Sequence, residues 1–117
     1  MKHSNVIKEK SYSFAIRIVK LYKFLSEDKK EFTLSKQILK SGTSIGAQVR
    51  EGEHGESKLD FIHKLSISLK EANETEYWLN ILKDVGYIDD RMFKSLNKDC
   101  VELIKLLTSI IKTSKSK

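Results

Sequence analysis

No proline interrupts this chain of 117 residues, and its apolar side chains recur at helical spacing over long stretches. Proline removes a backbone hydrogen-bond donor and clashes with the preceding turn, so a chain without it can form long helices. The apolar residues recur three and four positions apart in four segments, at about residues 5–25, 32–53, 57–85 and 89–112. This pattern predicts four helices in a single domain that spans residues 1–117.

The segments between the predicted helices are short, which places sequential helices antiparallel. We therefore predict an all-α fold, an antiparallel up-down-up-down four-helix bundle. Ser57 and Asp89 are suited to cap the third and fourth helices at their N-termini. Gly86 is suited to a left-handed conformation after the third helix.

The second predicted helix is poor in bulky side chains. Its small residues include Ser41, Gly42, Ser44, Gly46 and Ala47. Because a glycine inside a helix costs about 1 kcal/mol relative to alanine, we expect a neighbouring backbone to approach it closely. The alternative is that this helix breaks near Gly42.

The third predicted helix carries more apolar surface than one bundle needs. The apolar residues among 77–82 cover about 200° of its circumference, whereas a core-facing stripe is only somewhat wider than 100°. We predict that the surplus lies at a contact between identical subunits, formed by Tyr77, Trp78, Ile81 and Leu82. A long helix that covers itself against two neighbours is the alternative.

Glu76 falls on the predicted apolar stripe of the same helix. A buried carboxylate needs a partner, so we expect a structural pairing with Tyr22, Arg17 or a lysine of another helix.

Signatures of catalysis are missing from the sequence. It has no glycine-rich phosphate loop, no CxxC and no HExxH motif. Glu51 with His54, and Asp60 with His63, have the spacing of metal ligands but fall off the predicted core stripes. Cys100, the single cysteine, lies on the stripe of the fourth helix as a small core residue. We predict no catalytic residue, no metal, no cofactor and no enzymatic activity.

The formal net charge is +6, and it is concentrated at the two ends of the chain. Residues 1–30 carry +5 and residues 87–117 carry +3, whereas residues 56–86 carry −2. A basic surface suits a polyanion, although a solvated charged surface is the alternative. The residues predicted to bind nucleic acid are Lys10, Arg17, Lys20, Lys36, Lys40 and Arg50.

A lone cysteine fits a reducing compartment, and the polar N-terminus leads into no long apolar run. We therefore expect a cytoplasmic protein with no membrane association.

The segment QILKSGTSIGAQVREG, residues 37–52, resembles the signature of a family of bacterial four-helix-bundle proteins encoded in intervening sequences of 23S rRNA genes. The likeness extends through Asp60-Phe61, Tyr77-Trp78-Leu79 and Gly86-Tyr87-Ile88. The family is also called the S23 ribosomal protein family. This sequence has Lys40 where arginine is typical and Gln48 where asparagine is typical.

The resemblance implies a four-helix bundle that assembles into ring-like pentamers. A related branch, the accessory variability determinants of diversity-generating retroelements, implies binding to nucleic acid and to a reverse transcriptase or another protein. We therefore expect a non-enzymatic homo-oligomer, a pentamer, that binds the backbone of nucleic acid, RNA more than DNA. The alternative function is a scaffold that docks a protein partner on the third helix and has no nucleic-acid role.

Overall fold

The structure, a computed structural model, describes the backbone of residues 2–116 and the side chains of residues 5–116. Within these residues the chain forms four α-helices and no strand. They are α1 (Lys2–Lys23), α2 (Leu34–Glu53), α3 (Lys58–Asp84) and α4 (Asp90–Lys115). A five-residue π-helical turn, Phe24–Asp28, continues α1. The helices pack lengthwise into a rod of 46 × 21 × 18 Å, which confirms the predicted four-helix bundle.

The ends of the helices follow local hydrogen-bonding chemistry. The Ser57 Oγ accepts the backbone N–H of Asp60 at 3.1 Å, and the Asp89 Oδ1 accepts the N–H of Met92 at 2.8 Å. Gly86 has a φ of 87°, a left-handed conformation that costs glycine little. These three predictions from the sequence are confirmed.

Several helix ends differ from expectation. α1 begins at Lys2 rather than at residue 5, and its π-helical turn reaches Asp28 rather than residue 25. α2 begins at Leu34 rather than at Phe32, because the carboxylate of Glu31 accepts the backbone N–H groups of Thr33, Leu34 and Ser35. α4 continues to Lys115, although we expected fraying from residue 113. Its last turns stay helical because they still pack on the bundle, where Ile110 and Ser114 are buried.

α2 lies between α1 and α3 and runs unbroken through Gly42, which excludes the predicted alternative of a helix break. A Cβ atom at Gly42 would lie 2.7 Å from the Ile18 side chain, and one at Gly46 would lie 3.3 Å from the Ser11 carbonyl oxygen. The expected close approach is therefore present. It involves the backbone of α1 at Gly46 and a side chain at Gly42.

The contact between α2 and α3 contains buried hydroxyl groups. Ser68 donates to the Ile45 carbonyl oxygen at 2.8 Å, and Thr75 donates to the Ser41 Oγ at 2.9 Å. Both side chains are fully buried. Since α2 offers mostly small residues here, short polar side chains on α3 fill the space and satisfy their hydrogen bonds.

The buried face of α3 thus keeps Leu65, Ala72 and Leu79 of the predicted apolar stripe but also includes the polar residues Ser68 and Thr75. Thr75 is fully buried, whereas Glu76 is only half-buried. Glu76 forms no ion pair within the described part of the chain, and Arg17, one of its expected partners, pairs with Asp99 instead. The predicted pairing of Glu76 with Arg17 or with a lysine is therefore wrong.

Candidate nucleic-acid interface

Two of the basic residues predicted on α1 face α4 and are neutralised there. The Lys10 Nζ lies 3.2 Å from the Glu102 carboxylate. The Arg17 Nη1 lies 2.7 Å from the Asp99 Oδ2, and its Nη2 donates to the Ser95 Oγ at 2.7 Å. A phosphate at either residue would compete with a carboxylate that is already in place.

The other four predicted residues lie on separate surfaces. Lys20 is exposed at the mouth of an apolar groove between α1 and α4. Lys36 and Lys40 are exposed one turn apart on the outer side of α2. The Arg50 guanidinium lies over the Tyr12 ring, 5.7 Å from its centroid. The structure therefore does not gather the six residues into one patch.

α4 carries its acidic and basic side chains on adjacent sides. Its acidic residues Asp99 and Glu102 face α1, as their ion pairs show. Its outer side carries a row of exposed cations that we call the α4 basic stripe. The stripe consists of Arg91, Lys94, Lys98, Lys105 and Lys112.

At 100° per residue, the five side chains of the stripe fall within about 60° of the helix circumference and extend over about 32 Å. In the part of the chain that the structure describes, no carboxylate lies within ion-pair distance of any of them. The cations of the stripe therefore project from one side of α4 and have no ion-pair partner among the described residues. In contrast, Lys10 and Arg17, the residues predicted on α1, are paired with carboxylates.

A shallow cleft of about 560 Å³ lies along the stripe. Its lining includes Phe93, Asn97 and Val101 between the lysines, and also Glu102, the carboxylate that pairs with Lys10. The Asn97 Oδ1 is buried without a hydrogen-bond partner among the described residues. The face of the Phe93 ring is occupied, because the Lys83 Nζ lies 4.2 Å from its centroid.

The sequence analysis missed this stripe, although its signal is present. Lys98, Lys105 and Lys112 follow one another at intervals of seven, which keeps them on one side of a helix. The net charge of residues 87–117 is only +3 because four acidic residues offset the cations. Which charges those acids neutralise depends on the packing of α4 against α1.

The predicted subunit contact on α3 is only partly available. Tyr77 is 59% exposed and forms an edge contact with Trp78, with ring centroids 5.1 Å apart. Trp78 and Ile81 are half-buried, and the Trp78 Nε1 donates to Glu74. Leu82 is fully buried in the core of a single chain, so it offers no surface to a second copy. The prediction that Leu82 lies at a subunit contact is therefore wrong.

A second apolar surface lies on α1 and was not predicted. Tyr12, Ile16 and Val19 are 56%, 42% and 38% exposed. Their spacing of four and three residues places them on one side of α1, opposite its buried stripe. We call these three residues the α1 apolar face.

Cys100 is buried between α3 and α4, and its thiol donates to the Ala72 carbonyl oxygen at 3.3 Å. Burial, with a smaller effect from the carboxylates of Glu76 and Asp99, raises the pKa of Cys100 to about 12. The thiol is therefore protonated at neutral pH, which disfavours a nucleophilic role.

No group of three or more potential metal ligands occurs among the described residues. The two ligand-like pairs, Glu51 with His54 and Asp60 with His63, are all exposed on the surface. In the same part of the chain, none of the helices combines the length and apolarity needed to cross a bilayer.

Comparison with known proteins gives a family match over nearly the whole chain. The sequence profile of the 23S rRNA-intervening sequence proteins matches residues 3–109. One similar solved structure is a protein of unknown function from the S23 ribosomal protein family of Bacteroides thetaiotaomicron VPI-5482. It is 59% identical, with a TM-score of 0.93, and the match covers 94% of this chain and 98% of that chain. No curated protein matches the sequence. Neither of the two matches names an enzymatic activity.

Proposed function

Because this chain belongs to the 23S rRNA-intervening sequence protein family, we propose that it is a non-enzymatic protein that binds nucleic acid through phosphate contacts. The observation that carries the proposal is the α4 basic stripe, five exposed cations on one side of a helix without carboxylate partners. The proposed ligand is RNA more than DNA, in keeping with the origin that the family name gives.

Free cations are better phosphate ligands than paired ones. Each phosphate that a lysine or arginine neutralises releases condensed counterions, and this release drives binding. At Lys10 or Arg17 a phosphate must first displace Glu102 or Asp99. At the stripe no such exchange is needed, so α4 replaces α1 as the main proposed contact. Lys36 and Lys40 form a smaller secondary site.

The proposal is tested by charge reversal on two matched surfaces. The stripe variant is Lys98→Glu, Lys105→Glu, Lys112→Glu. The control variant is Lys23→Glu, Lys30→Glu, Lys70→Glu, which changes the net charge equally at exposed lysines outside both proposed sites. Fluorescence anisotropy with a structured RNA at several salt concentrations measures both affinity and its salt dependence.

We expect the wild-type slope of log K against log salt to be about −4.5, since each of five duplex phosphate contacts contributes about −0.9. The stripe variant should lose most of this slope, and the control variant should lose less. Equal weakening of both variants would mean that net charge, not the stripe, causes binding. No binding by the wild type at low salt would remove the proposal.

A specific observation also favours self-association. The α1 apolar face exposes three large side chains in a row, and aromatic and aliphatic side chains are typical of the buried centre of subunit contacts. The family resemblance implies pentamers, in which this face would be covered by another copy. The proposed partner of the α1 apolar face is therefore a second copy of this chain.

Light scattering after size-exclusion chromatography tests this assembly. Ile16→Glu should reduce the subunit number, whereas Tyr77→Glu, on the exposed side of α3, should leave it unchanged. The reverse result would return the contact to α3 as the sequence suggested. A wild-type monomer at high concentration would contradict self-association. In that case an exposed Tyr77 would favour the alternative function, a scaffold for a protein partner such as a reverse transcriptase.

A further inference from the structure

We infer that the α4 basic stripe selects double-stranded nucleic acid over single strands, because Lys83 covers the aromatic ring that lies beside it. This inference rests on the proposed function and adds the form of the ligand. It follows from three features of the described structure: the straightness of the stripe, the residues between its cations, and the position of the Lys83 ammonium.

The stripe is long and rigid. α4 is one uninterrupted helix from Asp90 to Lys115, and Arg91 and Lys112 lie about 32 Å apart along it. A full turn of a duplex is about 34–36 Å long, so a stripe of this length spans about one turn and can reach phosphates where the two rigid backbones cross it. A single strand is flexible and must be ordered before it can follow the same row.

Proteins that bind single strands usually add stacking of bases on aromatic side chains to their electrostatic contacts. The residues exposed between the cations of the stripe offer no such platform. They include Glu102 and the hydroxyl residues Thr108 and Ser109, and the aliphatic Val101 is half-buried among them. Phe93 is the only aromatic residue that lines the adjoining cleft.

The ring of Phe93 is not free to stack. The Lys83 Nζ lies over it at 4.2 Å from the centroid, a distance at which the cation is held by the π electrons. The same ammonium lies 3.9 Å from the Asp84 carboxylate, which also holds it at this end of α3. Lys83 therefore blocks base stacking on the Phe93 ring, and its pairing with Asp84 limits what its own charge adds to phosphate binding.

The test compares Lys83→Ala, which uncovers the ring, with Lys70→Ala, which removes one exposed charge elsewhere on α3. A third variant, Lys83→Ala with Phe93→Leu, keeps apolar bulk but removes the aromatic face. The probes are an RNA duplex of about two helical turns, the corresponding DNA duplex, and a non-complementary RNA strand of the same length. Competition anisotropy at one salt concentration gives the duplex-to-strand affinity ratio.

For the wild type we expect a ratio of about tenfold in favour of duplex. Lys83→Ala should raise single-strand affinity about threefold to fivefold without raising duplex affinity, and the Phe93→Leu change should restore the wild-type ratio. Lys70→Ala should lower all affinities in parallel.

Equal wild-type affinity for duplex and strand would overturn this inference and leave the proposed function intact. A parallel loss of both affinities in Lys83→Ala would also overturn it. Absence of binding to every probe would instead contradict the proposed function. The RNA and DNA duplex probes show which kind of duplex the stripe binds. Tighter binding of either duplex than of the single strand supports the inference.

Discussion

The two sides of α1 meet the rest of the bundle in different ways. On one side, α1 packs against α2 at Gly42 and Gly46, where no space remains for even a methyl group without displacement. On the other side, α1 meets α4 through Arg17 and Lys10, whose ion pairs with Asp99 and Glu102 are 38–50% exposed. Apolar grooves remain open along this second contact.

The contact of α1 with α2 depends on the fit of closely packed atoms, whereas its contact with α4 depends on charge. Close-packed small residues depend on the fit of neighbouring atoms, so a single added carbon has nowhere to go. Exposed ion pairs tolerate change because water replaces a lost partner, and each contributes about 0–1 kcal/mol. We therefore expect stability to depend on α2. The contact between α1 and α4 mainly determines which charges remain free for a ligand.

The largest expected effect is at Gly42. Gly42→Ala should destabilise the protein by about 1–3 kcal/mol, because its Cβ would overlap the buried, branched Ile18 side chain. This outweighs the gain of about 1 kcal/mol in helix propensity. Gly46→Ala is the matched control and should cost less, since its contacts are at 3.3 Å. Urea denaturation measures both, and equal stability of Gly42→Ala and wild type would contradict the tight packing.

Glu31 should show how firmly the start of α2 is held. Burial alone would raise the pKa of Glu31, but hydrogen bonds from the backbone N–H groups of Leu34, Ser35 and Thr33 lower it below the ordinary 4.5. A lowered folded-state pKa stabilises the protein above the unfolded value, and this contribution is lost as the pH falls through the folded value.

Glu31→Gln should therefore cost about 1–2 kcal/mol at pH 7. Its difference from wild type should shrink as the pH falls below about 4.5 and the wild-type carboxylate becomes protonated. Urea midpoints measured from pH 7 to pH 3 give the comparison. A difference that does not change with pH would show that the charge of Glu31 is not what caps α2.

A smaller effect is expected where α2 meets α3. Ser68→Ala removes the donor to the Ile45 carbonyl oxygen and should cost about 1 kcal/mol. Ser66→Ala is the control, since Ser66 bonds only within its own helix, to the Ile62 carbonyl oxygen. If both changes cost the same in thermal denaturation, the hydroxyl group between the helices adds nothing to stability.

The smallest effect should come from the contact between α1 and α4. A double-mutant cycle of Arg17→Ala and Asp99→Ala should give a coupling energy of about 0.2–1 kcal/mol. Because the pair is partly exposed, the coupling should decrease as salt is added. A coupling above about 2 kcal/mol that persists at high salt would mean that this side of α1 is as critical as the side facing α2.

The helices themselves could be predicted from the sequence with few errors. Ser57, Gly86 and Asp89 act where local chemistry indicated, because a cap or a left-handed residue depends on neighbours within a few positions. The buried face of α3 also includes two polar residues that the apolar pattern did not predict. A pattern of apolar residues does not mark Ser68 and Thr75, because their side chains are polar. Both are buried because the residues of α2 that face them are small.

The candidate site was less accessible to sequence reasoning. Lys10 and Arg17 have the right spacing for a basic surface, but their partners lie 92 and 82 residues further along the chain. Leu82 was predicted to belong to the surplus apolar surface of α3, but it is fully buried within a single chain. In both cases the missing information was which side of a helix faces which neighbour.

The sequence by itself determined that the chain forms four helices, where α3 begins and ends, where α4 begins, and that the helices form a bundle. Periodicity, caps and the lack of proline act through residues close together in the chain. Only the tertiary structure decided which cations are compensated, because ion pairing depends on the rotation of α1 against α4 and falls off over a few ångströms. Asp99 and Glu102 pair with Arg17 and Lys10 of α1, and for that reason the neighbouring row of cations on α4 has no ion-pair partner among the described residues.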